Sequence, residues 1–261
     1  METDLNPINI LWTGGWDSTY RLLYLLVVKH TVVQPYYIID RRRKSVSNEL
    51  LAMERIRHAI TKTYPEKNTL LLPTIFTEKK HIKKNKAITL KFYGIALASR
   101  ISLGSQIDWL PRFADEHGLS DLEICHEKKP SPSEFDRLIM PQLQGKGHDC
   151  RLKDTINNQD LSIFKYFRFP TFHLTKQDMG RLAAEHGFSH MMKLTWFCHK
   201  PVKNNMPCGR CNPCIITKKA GITVAFAKPD FIRDHYLDTV FYLKKTAHSI
   251  IRKFSLLRKP K

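Results

Sequence analysis

Apolar residues in this chain come in short blocks whose spacing changes along its length. The block at 8–12 runs into a polar, glycine-bearing stretch at 13–19, and a second apolar block follows at 20–28. The first reads as a buried strand and the second as a helix, joined by a tight turn. Continued along the chain, the pattern predicts strands at 8–12, 35–40, 69–76 and 122–126. It predicts helices at 18–30, 47–63, 88–101, 106–117, 132–141 and 175–186. Gly118 and Gly187 stand just past two of these helices, where a left-handed residue commonly ends the helix. Strands alternating with helices predict an α/β fold, a parallel sheet with helices on both faces. The polar stretch 144–158 reads as a loop or flap near the site. Ligands of such sheets bind at the carboxyl ends of the strands, which is where 13–19 falls.

That stretch is Thr13-Gly14-Gly15-Trp16-Asp17-Ser18-Thr19. Paired glycines let the backbone turn tightly and approach a ligand closely. The helix after them aims its free N–H groups and positive dipole end at the turn, which makes an anion site. Thr13, Ser18 and Thr19 add hydroxyl donors. The loop has no lysine, so it is not a Walker loop, and it lacks the glycine spacing of a dinucleotide fold. The plainer alternative is a Gly-Gly turn followed by an Asp/Ser helix cap. The stretch resembles the SGGxDS signature of the PP-loop ATP pyrophosphatases, with Thr13 in the serine position. The resemblance implies ATP-binding by Thr13, Gly14, Gly15, Asp17, Ser18 and Thr19, and cleavage between the α and β phosphates. It implies catalytic roles for Asp17 and Ser18, with Asp17 helping to hold Mg²⁺.

Cys198, Cys208, Cys211 and Cys214 are spaced C-x9-C-x2-C-x2-C. Four thiolates so close together suit tetrahedral Zn²⁺, and a site with four protein ligands is structural rather than catalytic. Four ordinary buried cysteines, or an iron–sulfur cluster, are the alternatives. A disulfide pair is disfavoured, because no signal peptide is read at the start and the expected cytoplasmic location keeps thiols reduced. Of the two remaining cysteines, Cys125 follows the strand at 122–126 and is expected in the core.

Taken in order, TGGxDST, then Thr195-Trp196-Phe197-Cys198, then Pro207-Cys208-Gly209-Arg210-Cys211-Asn212-Pro213-Cys214 resembles the 7-cyano-7-deazaguanine synthases. Phe169-Pro170 followed by Leu174-Thr175-Lys176 is similar to the family's approach to a helix. The resemblance implies the PP-loop, adenine nucleotide α hydrolase-like fold with a zinc knuckle. It further implies ATP-dependent adenylation of a small-molecule carboxylate such as 7-carboxy-7-deazaguanine, then amide and nitrile formation. Arg42, Arg43, Gln106 and Trp196 become candidate substrate contacts. Two departures concern the base pocket: 103–109 carries Ser-Gln where the family has Arg-Asn, and the family's GYPDCR segment is missing after 123–126. The acceptor is therefore open. Conjugation of a deazaguanine-like acid to a macromolecular amine, a PP-loop tRNA modification, and a non-catalytic zinc-knuckle protein that binds nucleic acid are the alternatives.

Composition adds bounds. The 261 residues, 42% hydrophobic, suffice for one good core with a small appendage. The net charge of +19 is concentrated at 41–44, at 79–86 and beyond 227. Such charge attracts polyanions, although a solvated basic surface is the plainer reading. From Phe231 to Leu257, apolar residues recur at roughly helical spacing with basic residues between them. The expected division is a PP-loop domain at 1–227, including the knuckle at 198–214, and a basic amphipathic helix at 228–261. That helix could pack on its own domain or meet nucleic acid, an acidic protein or an anionic membrane surface. A homodimer is a further expectation.

Overall fold

The computed structural model describes residues 6–227 except 102, 130 and 223. Seven strands form one sheet in the order β3-β2-β1-β4-β7-β6-β5. They are β1 (Ile8–Leu11), β2 (Val33–Ile39), β3 (Ile75–Glu78), β4 (Leu122–Glu123), β5 (Leu143–Gln144), β6 (Arg151–Leu152) and β7 (Phe167–Arg168). The helices are α1 (Trp16–Leu23), α2 (Val46–Thr63), α3 (Lys86–Ser99), α4 (Gln106–Glu116), α5 (Glu134–Ile139), α6 (Lys176–Glu185), α7 (Ser189–Met192) and α8 (Asn212–Lys219).

The sheet buries both faces, as alternation along β1 and β2 shows. Ile10, Trp12 and Tyr37 pack on one side with α1, α2, α6 and α7, through Leu22, Ile56, Met179 and Met191. Tyr36 and Ile38 pack on the other with α3 and α4, through Ile95 and Phe113. The helices thus lie on both faces as expected. A buried ion pair ties α1 to the sheet: Arg21 Nε and Nη2 donate to the Glu123 carboxylate at 2.8 and 2.6 Å. Removing either partner would strand a buried charge, a cost of about 3–5 kcal/mol.

Four expectations need correction. The sheet is mixed, because β5–β6 and β6–β7 pair antiparallel while the rest pair parallel. Only six residues separate β5 from β6, too few for the crossover that parallel strands need. The stretch 144–158, read as loop, therefore contributes two short strands. The strand expected at 69–76 is displaced to β3, since Pro65 opens a 3-10 turn over Pro65–Leu70 and Pro73 interrupts the apolar run. The helix expected at 18–30 starts earlier, at Trp16, and its second half, Tyr24–Val28, is π-helical. No described helix is long and apolar enough to cross a membrane. The expected tail helix, and with it the domain boundary at 227, lies outside the described residues.

Candidate active site

Past β1 the chain turns sharply at Gly14, whose φ is +65°. A Cβ there would lie 2.9 Å from the Glu49 carbonyl oxygen and 3.1 Å from Met53 Cγ, so α2 presses directly on the turn. Positive φ and close approach both call for glycine. The Ser18 hydroxyl braces the turn from within, accepting from the Thr13 amide and donating to the Gly15 carbonyl, both at 3.5 Å. Thr19 is fully buried and accepts from Trp12 Nε1 at 3.0 Å. Its hydroxyl is thus engaged by the core. Of the loop residues expected around ATP, Thr13, Gly15 and Asp17 line a cavity of about 760 Å³. Gly14, Ser18 and Thr19 are not among its lining residues.

Beside Asp17 in this cavity stands Lys176, the first residue of α6. Thr175 caps that helix, its hydroxyl accepting from the Asp178 amide at 3.1 Å. Lys176 Nζ lies 2.6 Å from Asp17 Oδ1 and 3.3 Å from Glu127 Oε2. Burial by itself lowers a lysine pKa; the two carboxylates outweigh it here, and Lys176 is shifted upward. Burial raises the Glu127 pKa, Asp17 adds to the rise, and Lys176 opposes it. The result is one cation held between two carboxylates beside the glycine turn. Lys176 was legible only as part of the Leu-Thr-Lys string; its partners, Asp17 and Glu127, come from other strand ends.

The Trp196 segment meets the turn. Its backbone amide donates to the Gly14 carbonyl at 2.8 Å, and its indole Nε1 donates to the Cys198 carbonyl at 2.8 Å. Trp196 and Phe197 stack at 6.3 Å and line the same cavity. Arg43 lines it too and pairs with Glu49, which also accepts from the Tyr37 and Ser45 hydroxyls at 2.7 Å each. Arg42 is brought elsewhere, exposed against Asp40. Gln106 lies outside this cavity as well, in a smaller one of about 250 Å³ with Leu103 and His126.

The four cysteine sulfurs all lie within 4.8 Å of one another. Tetrahedral zinc with Zn–S of about 2.3 Å has S···S edges of about 3.8 Å. Cys208–Cys214, Cys211–Cys198 and Cys211–Cys214 stand at 3.8, 3.9 and 3.4 Å. Backbone amides support the sulfurs: Cys208 N donates to Cys198 Sγ at 3.2 Å and Cys211 N to Cys208 Sγ at 3.3 Å. Burial pushes the Cys198 thiol up to about 11. The donor set and its geometry fit Zn²⁺.

Residues 154–224 match the family model described as Queuosine biosynthesis protein QueC. The matched stretch holds Lys176, Trp196 and all four cysteines, and stops short of the turn at 13–19. No curated protein matches the chain. The chain is thus similar, over its C-terminal described part, to a family named for queuosine biosynthesis, and the structure brings that part onto the glycine turn.

Proposed function

We propose that this protein activates a small-molecule carboxylate by transferring AMP to it from ATP, with release of pyrophosphate, and then passes the acyl group to nitrogen to form an amide or nitrile. The observation that carries the reading is the lysine-free turn at 13–19, with Asp17 facing Lys176 in one cavity. The Gly15–Asp17 amides and the α1 dipole would hold the pyrophosphate oxygens. Lys176 would exchange its carboxylate partners for phosphate charge as ATP enters. Asp17 and Glu127, relieved of that cation, would hold Mg²⁺, which supplies charge neutralisation along the triphosphate. Trp196 and Phe197 offer a flat aromatic wall for a purine-like ring. A carboxylate is a poor electrophile, so AMP transfer supplies the leaving group, and the protein's work is positioning and charge stabilisation. 7-Carboxy-7-deazaguanine is the carboxylate we assign. The test is product analysis: ATP with this acid and ammonium should give AMP and pyrophosphate in step with amide. ADP and phosphate as main products would refute the reading.

A further inference from the structure

We propose that the attacking amine gives up a proton to His126 Nδ1 in the small cavity beside Lys129, and meets the activated carboxylate in the neighbouring chamber beyond Glu127. The inference rests on the adenylation reading above. Glu127 lines the loop cavity and also a neighbouring cavity of about 470 Å³. Lys129 is shared between that second cavity and the smaller one that holds His126 and Gln106. Three neighbouring cavities thus share residues along 126–129, Glu127 between the first two and Lys129 between the second and third.

His126 is built to keep one orientation. Its ring stacks on Phe172 at 5.3 Å and meets the edge of Phe135 at 5.5 Å. Its carbonyl accepts from the Thr171 hydroxyl at 3.2 Å. Nε2 lies 2.5 Å from Asp136 Oδ1, and Asp136 is itself fixed by the cap of α5, accepting from the Ser133 amide at 2.6 Å. A carboxylate on Nε2 makes that nitrogen the N–H donor and leaves the lone pair on Nδ1. No described residue hydrogen-bonds Nδ1. Burial, with the Lys129 ammonium beside it, holds the imidazole below its usual pKa against the pull of Asp136. A purely packed core histidine would be sealed, whereas this side chain is 24% exposed and lines a cavity.

Ammonia and alkylamines are protonated near neutral pH and must lose a proton to attack. The ammonium ion gives one proton to Nδ1, leaving an imidazolium that Asp136 stabilises. The freed amine lone pair then forms the new C–N bond, the C–O bond to AMP breaks, and the departing phosphate of AMP takes the surplus proton from the new amide nitrogen. A positioned base of this kind is worth typically about 10²–10⁴-fold.

The full-length protein is given ATP, Mg²⁺, 7-carboxy-7-deazaguanine and labelled pyrophosphate, so that exchange reports adenylation without an amine. Amide formation is followed with ammonium and, separately, with hydroxylamine, which is uncharged near neutral pH and needs no base. His126→Gln keeps a donor toward Asp136 and removes the Nδ1 lone pair. It should leave exchange and hydroxamate formation unchanged, and lower amide formation from ammonium by about 100-fold or more. His126→Ala should regain part of that rate when imidazole is added. Parallel loss of exchange, hydroxamate and amide would mean that His126 only shapes the pocket, and would overturn the proposal, as would undiminished amide formation. Absence of exchange in the unaltered protein would remove the adenylation reading and this proposal together.

Discussion

The turn at 13–19 and the cysteine knuckle use the same backbone device for opposite charges. Each makes a sharp bend through a glycine at positive φ, Gly14 at +65° and Gly209 at +77°, and each runs into the start of a helix. At the first bend the space in front of the helix is left open and lined by Thr13, Gly15 and Asp17, so the amides and dipole face a cavity. At the second, Cys211 and Cys214 fill the same position and the sulfurs close on one another. An open helix start offers donors to an anion, while one filled with thiolates is itself an acceptor for a cation. On the proposed function, chemistry belongs to the first and rigidity to the second. Trp196 joins them, with its amide on Gly14 and its indole on Cys198.

Substitutions at the two bends should separate these roles. The largest effect is expected at the knuckle, because metal binding there would be folding free energy. Structural zinc contributes on the order of 10 kcal/mol, comparable to the whole stability of a domain. Cys211→Ser should give insoluble or zinc-free protein rather than a folded, inactive one, read by elemental analysis and circular dichroism. A folded wild-type protein containing no zinc, or iron instead, would erase the contrast.

Asp17→Asn should do the reverse. It removes charge from the cavity without opening the core, so the fold and zinc content should persist. Turnover should fall on the order of 10²–10³-fold, the usual loss when one transition-state electrostatic contact is removed. A variant that turns over normally would show that the open bend carries no catalysis. Gly14→Ala tests the bend itself. The left-handed conformation costs an alanine about 1–2 kcal/mol, and the Glu49 carbonyl at 2.9 Å adds to that. A lower melting temperature and weaker ATP binding should appear together; ATP binding alone would show that α2 yields.

The smallest effect is expected at the bridge. Trp196→Phe keeps an aromatic ring and the backbone bond to Gly14, and loses the indole bond to Cys198. That bond is worth about 0.5–1.5 kcal/mol. ATP affinity should drop by less than tenfold while zinc stays bound. If zinc is lost as well, bridge and knuckle are one cooperative unit.

Local patterns in the chain were enough for the elements that depend on local chemistry. The apolar blocks with their flanking glycines predict β1, β2, α2, α4 and α6 to within a few residues, because burial and helix termination act over short spans. The Gly-Gly turn and the cysteine spacing mark both bends for the same reason: the ligand-bearing groups are neighbours in sequence. The short strands β5 and β6 were not legible, since two-residue strands have no period to read.

Tertiary structure decided who meets whom. It turned the Thr19 hydroxyl inward to Trp12, sent Arg42 to the surface, and put Gln106 in a different cavity from the turn. It also delivered Lys176 to Asp17 across 159 residues, and set His126 against Asp136. Side-chain type can be read from the chain; a charge partner depends on which strand ends are adjacent, and the order β1-β4-β7 that makes Asp17, Glu127 and Lys176 neighbours exists only once the sheet has formed.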